Sequence, residues 1–199
     1  MQDERKKIFD AAVEEFTEHG IKATSMKAIS ERAGLDEGAA RALFVDKERL
    51  FRELLKEYSE PLVSASGFVA QDIDDPRQFL RKSLKLYDRW LLENPRLVQL
   101  IAWGIAEGVQ FFGSIYSHVL YPSEFLEKLQ KFIWDGQIRI KDIYTVFILI
   151  ESMMVFSHLM KSNIKSLYPE KSEDDIFENR FAMMMDLLSN GLFSDEDKG

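Results

Sequence analysis

Apolar residues recur at helical spacing along most of the chain. Between residues 3 and 19, Ile8, Ala11, Ala12 and Phe16 fall on one face of a helix. Similar patterns predict further helices at about 26–33, 37–43, 76–93, 96–112, 123–134 and 141–166, with two more beginning at Lys47 and Ser172. No strand-like alternation of any length occurs. The pattern therefore predicts an all-α fold of about nine helices.

Capping residues, glycines and prolines punctuate these patterns. Gly20 ends the first helix, and Thr24 or Ser25 caps the second. Asp36 and Asp46 cap the third and fourth, and the polar run at 71–76 predicts a loop. Pro61 lies within the fourth helical pattern, so we expect this helix either to bend there or to end near residue 59 and restart.

The stretch from Ile21 to Leu50 holds two short helical patterns joined by a turn that contains Gly34. Two short helices with such a turn are typical of a helix-turn-helix. Ile29, Ala33 and Leu35 give the pair an apolar inner side. The residues themselves therefore predict a small helical unit of the kind that places its second helix in the DNA major groove.

Composition and charge modify this picture. The chain has 199 residues, 46% of them hydrophobic and 30% charged, which is enough to build a sizeable core. The net charge is −8, and residues 1–50 carry nine basic and eleven acidic side chains, which argues against nucleic-acid binding. The acidic residues crowd at 72–75 and 170–178, however, away from the predicted DNA-binding face.

Cysteine usage and hydropathy bear on the location of the protein. The absence of cysteine excludes disulfides, thiolate zinc sites and a cysteine nucleophile, and it fits the reducing cytoplasm. The charged N-terminus has no following apolar region, so we expect no signal peptide. The most membrane-like stretch, 143–160, contains Glu151 and His158 and is interpreted as a buried helix. We expect a cytoplasmic protein with no membrane association.

The N-terminal residues resemble the TetR family of bacterial transcriptional regulators. The resemblance covers about a quarter of the chain and rests on Ile8, Ala11, Ala12, Phe16, Gly20, Thr24, Ile29, Ala33, Gly34, Gly38, Phe44, Lys47, Glu48 and Leu50. It implies a homodimeric repressor with a DNA-binding domain at 1–47 and a ligand-binding and dimerisation domain at 48–199. It further implies a palindromic double-stranded DNA operator and a small-molecule effector, with no cofactor.

The third helix departs from the family pattern. Glu37 follows the Asp36 cap, and Arg41 stands where the family often has a tyrosine. Arg41 has the donors to bind guanine or phosphate, whereas Glu37 weakens DNA binding unless it accepts a hydrogen bond from a cytosine amino group. The predicted DNA contacts are Thr24, Ser25, Lys27, Glu37, Gly38, Ala39, Ala40, Arg41 and Lys47.

Aromatic and methionine side chains of the middle helices are candidates for an apolar effector pocket. The predicted ligand contacts are Trp90, Trp103, Phe111, Phe112, Tyr116, Met153, Phe156 and His158. Two broad apolar stripes near the C-terminus require cover and are candidates for the dimer interface. They comprise Ile143, Phe147, Ile150 and Met154, followed by Phe177, Phe181, Met184 and Leu188.

Two other classes of function compete with a repressor. An enzyme is disfavoured because the three histidines lack metal-ligand spacing and the chain has no G-x-S-x-G, P-loop or G-x-G-x-x-G motif. We therefore predict no catalytic residue and no metal ligand. A helical homodimeric module of the same fold that has lost sequence-specific DNA binding is the alternative, favoured by Glu37, the short alanine side chains and the net charge.

Overall fold

A computed structural model describes residues 2–108 and 123–193, and within them it contains ten α-helices. Their bounds are α1 (Gln2–His19), α2 (Met26–Ala33), α3 (Glu37–Leu43), α4 (Lys47–Asp72), α5 (Pro76–Glu93), α6 (Pro95–Ala106), α7 (Ser123–Trp134), α8 (Ile143–Leu159), α9 (Lys161–Leu167) and α10 (Glu173–Leu192). The described residues contain no strand beyond one isolated antiparallel bridge between Ile138 and Phe193. The all-α prediction is confirmed.

The helix predicted at 141–166 is divided in the structure. It forms α8 and α9, which meet at an angle of 63° around Met160. This division is the reason that the described residues contain ten helices rather than about nine. No single described helix meets the length and hydropathy criteria for a membrane span, although the bent α8–α9 pair meets them jointly.

Packing divides the chain into two compact units, whose bounds differ from the predicted domain boundary at residue 47. The first unit comprises the described parts of Met1–Pro61 and Asn94–Leu120. In its core, the rings of Phe16 and Phe51 meet edge to face at 5.5 Å, and both side chains are fully buried. Burial of one such side chain stabilises the fold by about 1.5–3 kcal/mol.

The second unit comprises Leu62–Glu93 and the described part of Tyr121–Gly199. Phe79 of α5 lies between Phe125 and Phe132 of α7, at ring distances of 5.3 and 5.5 Å. Helix α5 also packs against α8 and α10. The second unit therefore has a core of its own, built around α5.

Helix α4 is continuous through Pro61. Its residues up to Pro61 belong to the first unit, and those from Leu62 belong to the second. The restart near residue 59 that the proline suggested does not occur. A proline within a helix lacks the N–H that would bond the carbonyl four residues earlier, so this is a local weak point of α4.

The residues predicted for a dimer interface are mostly core residues. Buried within the second unit are Ile150, Met154, Phe177, Phe181, Met184 and Leu188, whereas Ile143 and Phe147 are half-buried. Helix α8 is apolar around its whole circumference, so the periodicity did not distinguish its inner face from its outer face. The exposed apolar side chains of these two helices are Tyr144, Ile148, Leu149, Phe156 and Leu159 on α8 and Met183 and Leu187 on α10.

Candidate nucleic-acid interface

Helices α2 and α3 form the predicted helix-turn-helix. The Ser25 side chain caps α2 by accepting a hydrogen bond from the Ala28 N–H at 3.1 Å. Gly34 ends α2 in the left-handed conformation, with φ of 67°. Asp36 then caps α3 by accepting from the Gly38 N–H at 2.8 Å. These caps set the helix bounds that the sequence predicted.

An ion-pair cluster fastens α2 to α1. The Arg32 guanidinium donates to Glu15 Oε1 at 2.7 Å and to Glu18 Oε2 at 2.6 Å. The hydrogen bond from Arg32 lowers the pKa of Glu18, and the same contacts raise the pKa of Arg32. Arg32 is thus engaged on the α1 side of α2 and holds the helix-turn-helix against α1.

The predicted DNA contacts differ in their exposure. Ser25, Lys27, Gly38, Ala39 and Arg41 are exposed, and Glu37 is half-buried. Thr24 and Ala40 are buried within the protein. The Thr24 hydroxyl donates internally to the carbonyl of Gly20.

The lysines of this surface have protein partners. Lys47 Nζ donates to the carbonyl oxygens of Lys22 and Thr24, at 2.8 and 2.7 Å. Lys47 therefore closes the turn before α2, and its ammonium group remains only partly buried there. Lys27 Nζ lies 3.8 Å from Glu31 Oε1, an exposed pair at a longer distance whose attraction is weak.

Arg41 is paired along α3. Its Nε and Nη2 lie 2.9 and 2.8 Å from Glu37 Oε1, and its Nη1 donates to the Val45 carbonyl at 3.3 Å. The four-residue spacing places Glu37 and Arg41 one above the other on the same helix face. Between and beside them the exposed residues Ala39 and Ala42 carry only methyl groups. The charged pair is consequently the most prominent chemical feature of α3.

Helix α6 holds the turn between α1 and α2, which the sequence did not predict. Trp103 Nε1 donates to the Thr17 carbonyl at 3.1 Å, and Glu107 Oε2 accepts from the Lys22 N–H at 2.8 Å. Gly20, with φ of 83°, lies against both side chains: an added Cβ would come within 2.5 Å of Glu107 Oε1. Gly20 is the sequence feature that relates to this contact. It did not predict the contact, because a glycine that ends a helix and a glycine that is closely packed look alike in a sequence.

A second polar cluster lies within the second unit. The buried Asp88 carboxylate accepts from Arg180 and lies 2.9 Å from His158 Nε2. Burial alone would raise the pKa of Asp88, but the hydrogen bond from His158 and the charge of Arg180 outweigh it and lower the pKa. Because Asp88 is ionised, His158 Nε2 carries the proton of this hydrogen bond. Asp88 sits among the apolar positions of α5, a signal that could have identified it.

Glu151 of α8 is a half-buried residue whose carboxyl group is enclosed by the second unit. Its Oε2 accepts from the Tyr87 hydroxyl at 3.0 Å. Burial raises the pKa of Glu151 to about 8, although the Tyr87 hydrogen bond opposes the shift. At neutral pH the protonated, uncharged form of Glu151 therefore predominates.

The predicted effector contacts differ in their exposure and in the unit to which they belong. Trp90 and His158 are buried in the second unit, Met153 is half-buried and Phe156 is exposed. Trp103 lies in the first unit, where its indole N–H is bonded to Thr17. Three further predicted contacts, Phe111, Phe112 and Tyr116, lie outside the described residues. Across residues 2–108 and 123–193 there is no cluster of three or more side chains arranged to hold a metal ion.

Comparison with known proteins agrees with this geometry. Residues 8–54 match the family model of bacterial regulatory proteins, tetR family. Over 62 residues the chain is 39% identical to the uncharacterized HTH-type transcriptional regulator YhgD of Bacillus subtilis, an alignment that covers 29% of this chain and 32% of YhgD. The aligned part therefore covers about a third of the length of this relative.

Solved structures match over nearly the whole chain. A TetR family transcription regulator from Marinobacter aquaeolei VT8 has a TM-score of 0.67 and 22% identity, over 93% of this chain and 95% of that one. The fatty acid degradation regulator FadR from Bacillus halodurans has a TM-score of 0.61 and 15% identity, over 92% and 94%. At these identities the structures establish the fold alone. Over residues 8–54 the chain therefore matches the tetR family of bacterial regulatory proteins, and its all-α fold is that of the solved transcription regulators.

Proposed function

We propose that the chain is a transcriptional repressor whose homodimer binds a palindromic DNA operator and responds to a small effector. The observation that carries the proposal is the surface of α3. It is exposed, capped by Asp36 and free of bulky side chains except for the Glu37–Arg41 pair. A helix of this kind enters the major groove without steric hindrance, and exposed Ser25 and Lys27 flank it for phosphate contact.

Selection of genomic DNA fragments by the purified protein tests this proposal. A repressor enriches a palindrome whose half-sites lie one helical turn apart, ~34–36 Å between their centres. The alternative, a helical dimer that has lost sequence-specific DNA binding, enriches no motif. This alternative is favoured by one observation: Arg41 and Lys47 are both engaged within the protein.

Dimerisation is proposed through the exposed apolar stripe of α8 and α10. Tyr144, Ile148 and Phe156 lie along α8 at spacings of four and eight residues, and Met183 and Leu187 lie four apart on α10. Exposed apolar side chains grouped in this way mark a contact surface. A second copy of the chain is the proposed occupant, because two-fold pairing covers the same stripe on both protomers.

An effector site is proposed in the second unit, near Trp90, Met153 and His158. Two polar atoms support it: within the described residues Ser83 Oγ and Arg180 Nε are buried without a hydrogen-bond partner. Buried polar atoms of this kind are usually satisfied by a ligand or water. FadR from Bacillus halodurans regulates fatty acid degradation, so long-chain fatty acids are the first class to test. Such a ligand should raise the melting temperature and change DNA affinity; no change in either would exclude this class.

Helix α4 is the proposed route between effector and DNA. It supplies residues to both packing units and contains Pro61, where its hydrogen bonding is weakened. A bend at Pro61 would change the separation of the two recognition helices in the dimer. Crystal structures with and without effector test the idea, since an identical α4 in both would refute it.

A further inference from the structure

We propose that Glu37 and Arg41 act as one unit that recognises a single G·C base pair in each operator half-site. The inference rests on the proposed DNA-binding function and adds the specificity-determining residues to it. Its basis is the geometry of the charged pair on α3, in which each side chain fixes the other before DNA is present.

The pair holds Arg41 in a defined position. Nε donates to Glu37 Oε1 at 2.9 Å and Nη1 donates to the Val45 carbonyl at 3.3 Å, while Nη2 lies 2.8 Å from the same Glu37 oxygen as an ion pair. An arginine constrained by two acceptors loses less conformational entropy when it binds a base than a freely rotating one. The contacts thus prepare the guanidinium for recognition instead of removing it from the surface, where Arg41 remains exposed.

The donors and acceptors left over match one base pair. A guanidinium has five N–H groups, and the hydrogen bonds to Glu37 and Val45 use two of them, which leaves at least one on each terminal nitrogen. Glu37 Oε2 has no hydrogen-bond partner among the described residues. Arg41 therefore offers two donors beside the one acceptor of Glu37. In the major groove, guanine offers two acceptors, N7 and O6, and cytosine offers the N4 amino donor next to them.

Glu37 also rejects other base pairs. Thymine places its O4 acceptor in the major groove, which repels a carboxylate oxygen. A nearby carboxylate is unfavourable beside phosphates as well, so Glu37 weakens binding wherever it lacks a cytosine partner. No other long side chain projects from the outer face of α3, where Gly38, Ala39 and Ala42 are the exposed neighbours. Discrimination at this position consequently depends on the pair, with an expected preference of roughly 5- to 150-fold.

The test is selection of DNA from a random duplex pool by purified full-length wild type, Glu37→Ala, Glu37→Gln and Arg41→Ala. Wild type should enrich a motif with one invariant G·C pair in each half-site. Glu37→Ala should lose the preference for cytosine at that pair, and Glu37→Gln should admit adenine, because an amide both donates and accepts. Arg41→Ala should lose the guanine preference and weaken binding roughly 5-fold or more.

Glu31→Gln is the matched control. Glu31 is exposed on α2 and pairs with Lys27 at the same four-residue spacing, so the substitution removes the same charge without touching α3. It should raise general DNA affinity and leave the motif unchanged. Melting curves of all variants check that each is folded, which we expect because both pairs lie at the surface.

Two outcomes overturn the proposal and differ in what else they affect. If Glu37→Ala enriches the wild-type motif with unchanged base preference, Glu37 is only a counter-charge and the inference fails while the DNA-binding function stands. If wild type enriches no motif, the proposed function itself fails, and the inference fails with it.

Discussion

The contact between Gly20 and α6 offers a quantitative test of the first unit. In Gly20→Ala, the new Cβ would lie 2.5 Å from Glu107 Oε1 and 3.1 Å from the Trp103 ring, at a backbone φ of 83°. The left-handed backbone costs alanine about 1–2 kcal/mol. Displacing Glu107 and Trp103 adds roughly 1–3 kcal/mol, as in other overpacked sites. We expect a loss of about 3 kcal/mol in the free energy of unfolding.

Gly34→Ala isolates the contribution of the contact. Gly34 is also left-handed, with φ of 67°, but a Cβ there meets no described atom within 4 Å. Its expected loss is therefore the backbone cost alone, about 1–2 kcal/mol. The smaller conformational entropy of the unfolded alanine chain affects both variants alike and cancels in the comparison.

Differential scanning calorimetry and urea unfolding measure the two losses. For a chain of this size, 1 kcal/mol corresponds to roughly 2–4 °C, so the melting temperature should fall by about 6–12 °C in Gly20→Ala and about 2–8 °C in Gly34→Ala. Adding Glu107→Ala to Gly20→Ala should restore part of the loss, because the nearest atom is then gone. Equal losses in the two single variants would refute the packing of α6 against the α1–α2 turn.

Three further predictions concern the second unit. Glu151 has a pKa of about 8 in the fold and an ordinary value of 4.5, so the fold loses stability as pH rises from 4.5 through 8. The melting temperature of Glu151→Gln should therefore change less with pH over that range than that of the wild type. Parallel plots of melting temperature against pH for the two proteins would refute the enclosed carboxyl group. Ile148→Lys should give monomers in analytical ultracentrifugation, because it places a charge in the proposed interface. Trp134→Lys, which alters an exposed apolar side chain outside that interface, should stay dimeric, and a dimeric Ile148→Lys would reject the proposed interface. Asp88→Asn should lower the free energy of unfolding by about 3 kcal/mol in urea titrations, because Asp88 is the buried partner of an ion pair. The control Glu178→Gln removes an exposed partner and should cost under ~1 kcal/mol. Similar losses in the two variants would contradict the buried network.

Local signals explain why so much of the fold was predictable. Ser25 and Asp36 begin α2 and α3 because their side chains accept hydrogen bonds from N–H groups of the first turn, and Gly34 ends α2 because it adopts the left-handed conformation. The division of the helix predicted at 141–166 was missed because no glycine or proline marks Met160. Helix bounds that depend on capping can thus be derived from sequence, whereas this bend could not.

Long-range packing explains the remainder. The inner and outer faces of α8 are both apolar, so only the structure distinguishes buried Met154 from exposed Ile148. The Trp103–Thr17 contact joins residues 86 positions apart, and no periodicity encodes it. The Glu37–Arg41 pair, in contrast, was accessible from its four-residue spacing. Its consequence for DNA recognition required the count of donors and acceptors left unused in the structure.

Sequence-specific DNA binding is the central claim, and a binding titration tests it most directly. Fluorescence anisotropy compares a duplex carrying the selected palindrome with one of equal length and composition whose half-sites are scrambled, at matched salt. We expect the palindrome to bind at least ~10³-fold more tightly, with two chains per duplex. Equal affinity for the two duplexes would contradict the claim and identify the protein as a helical module that uses this fold without reading DNA sequence.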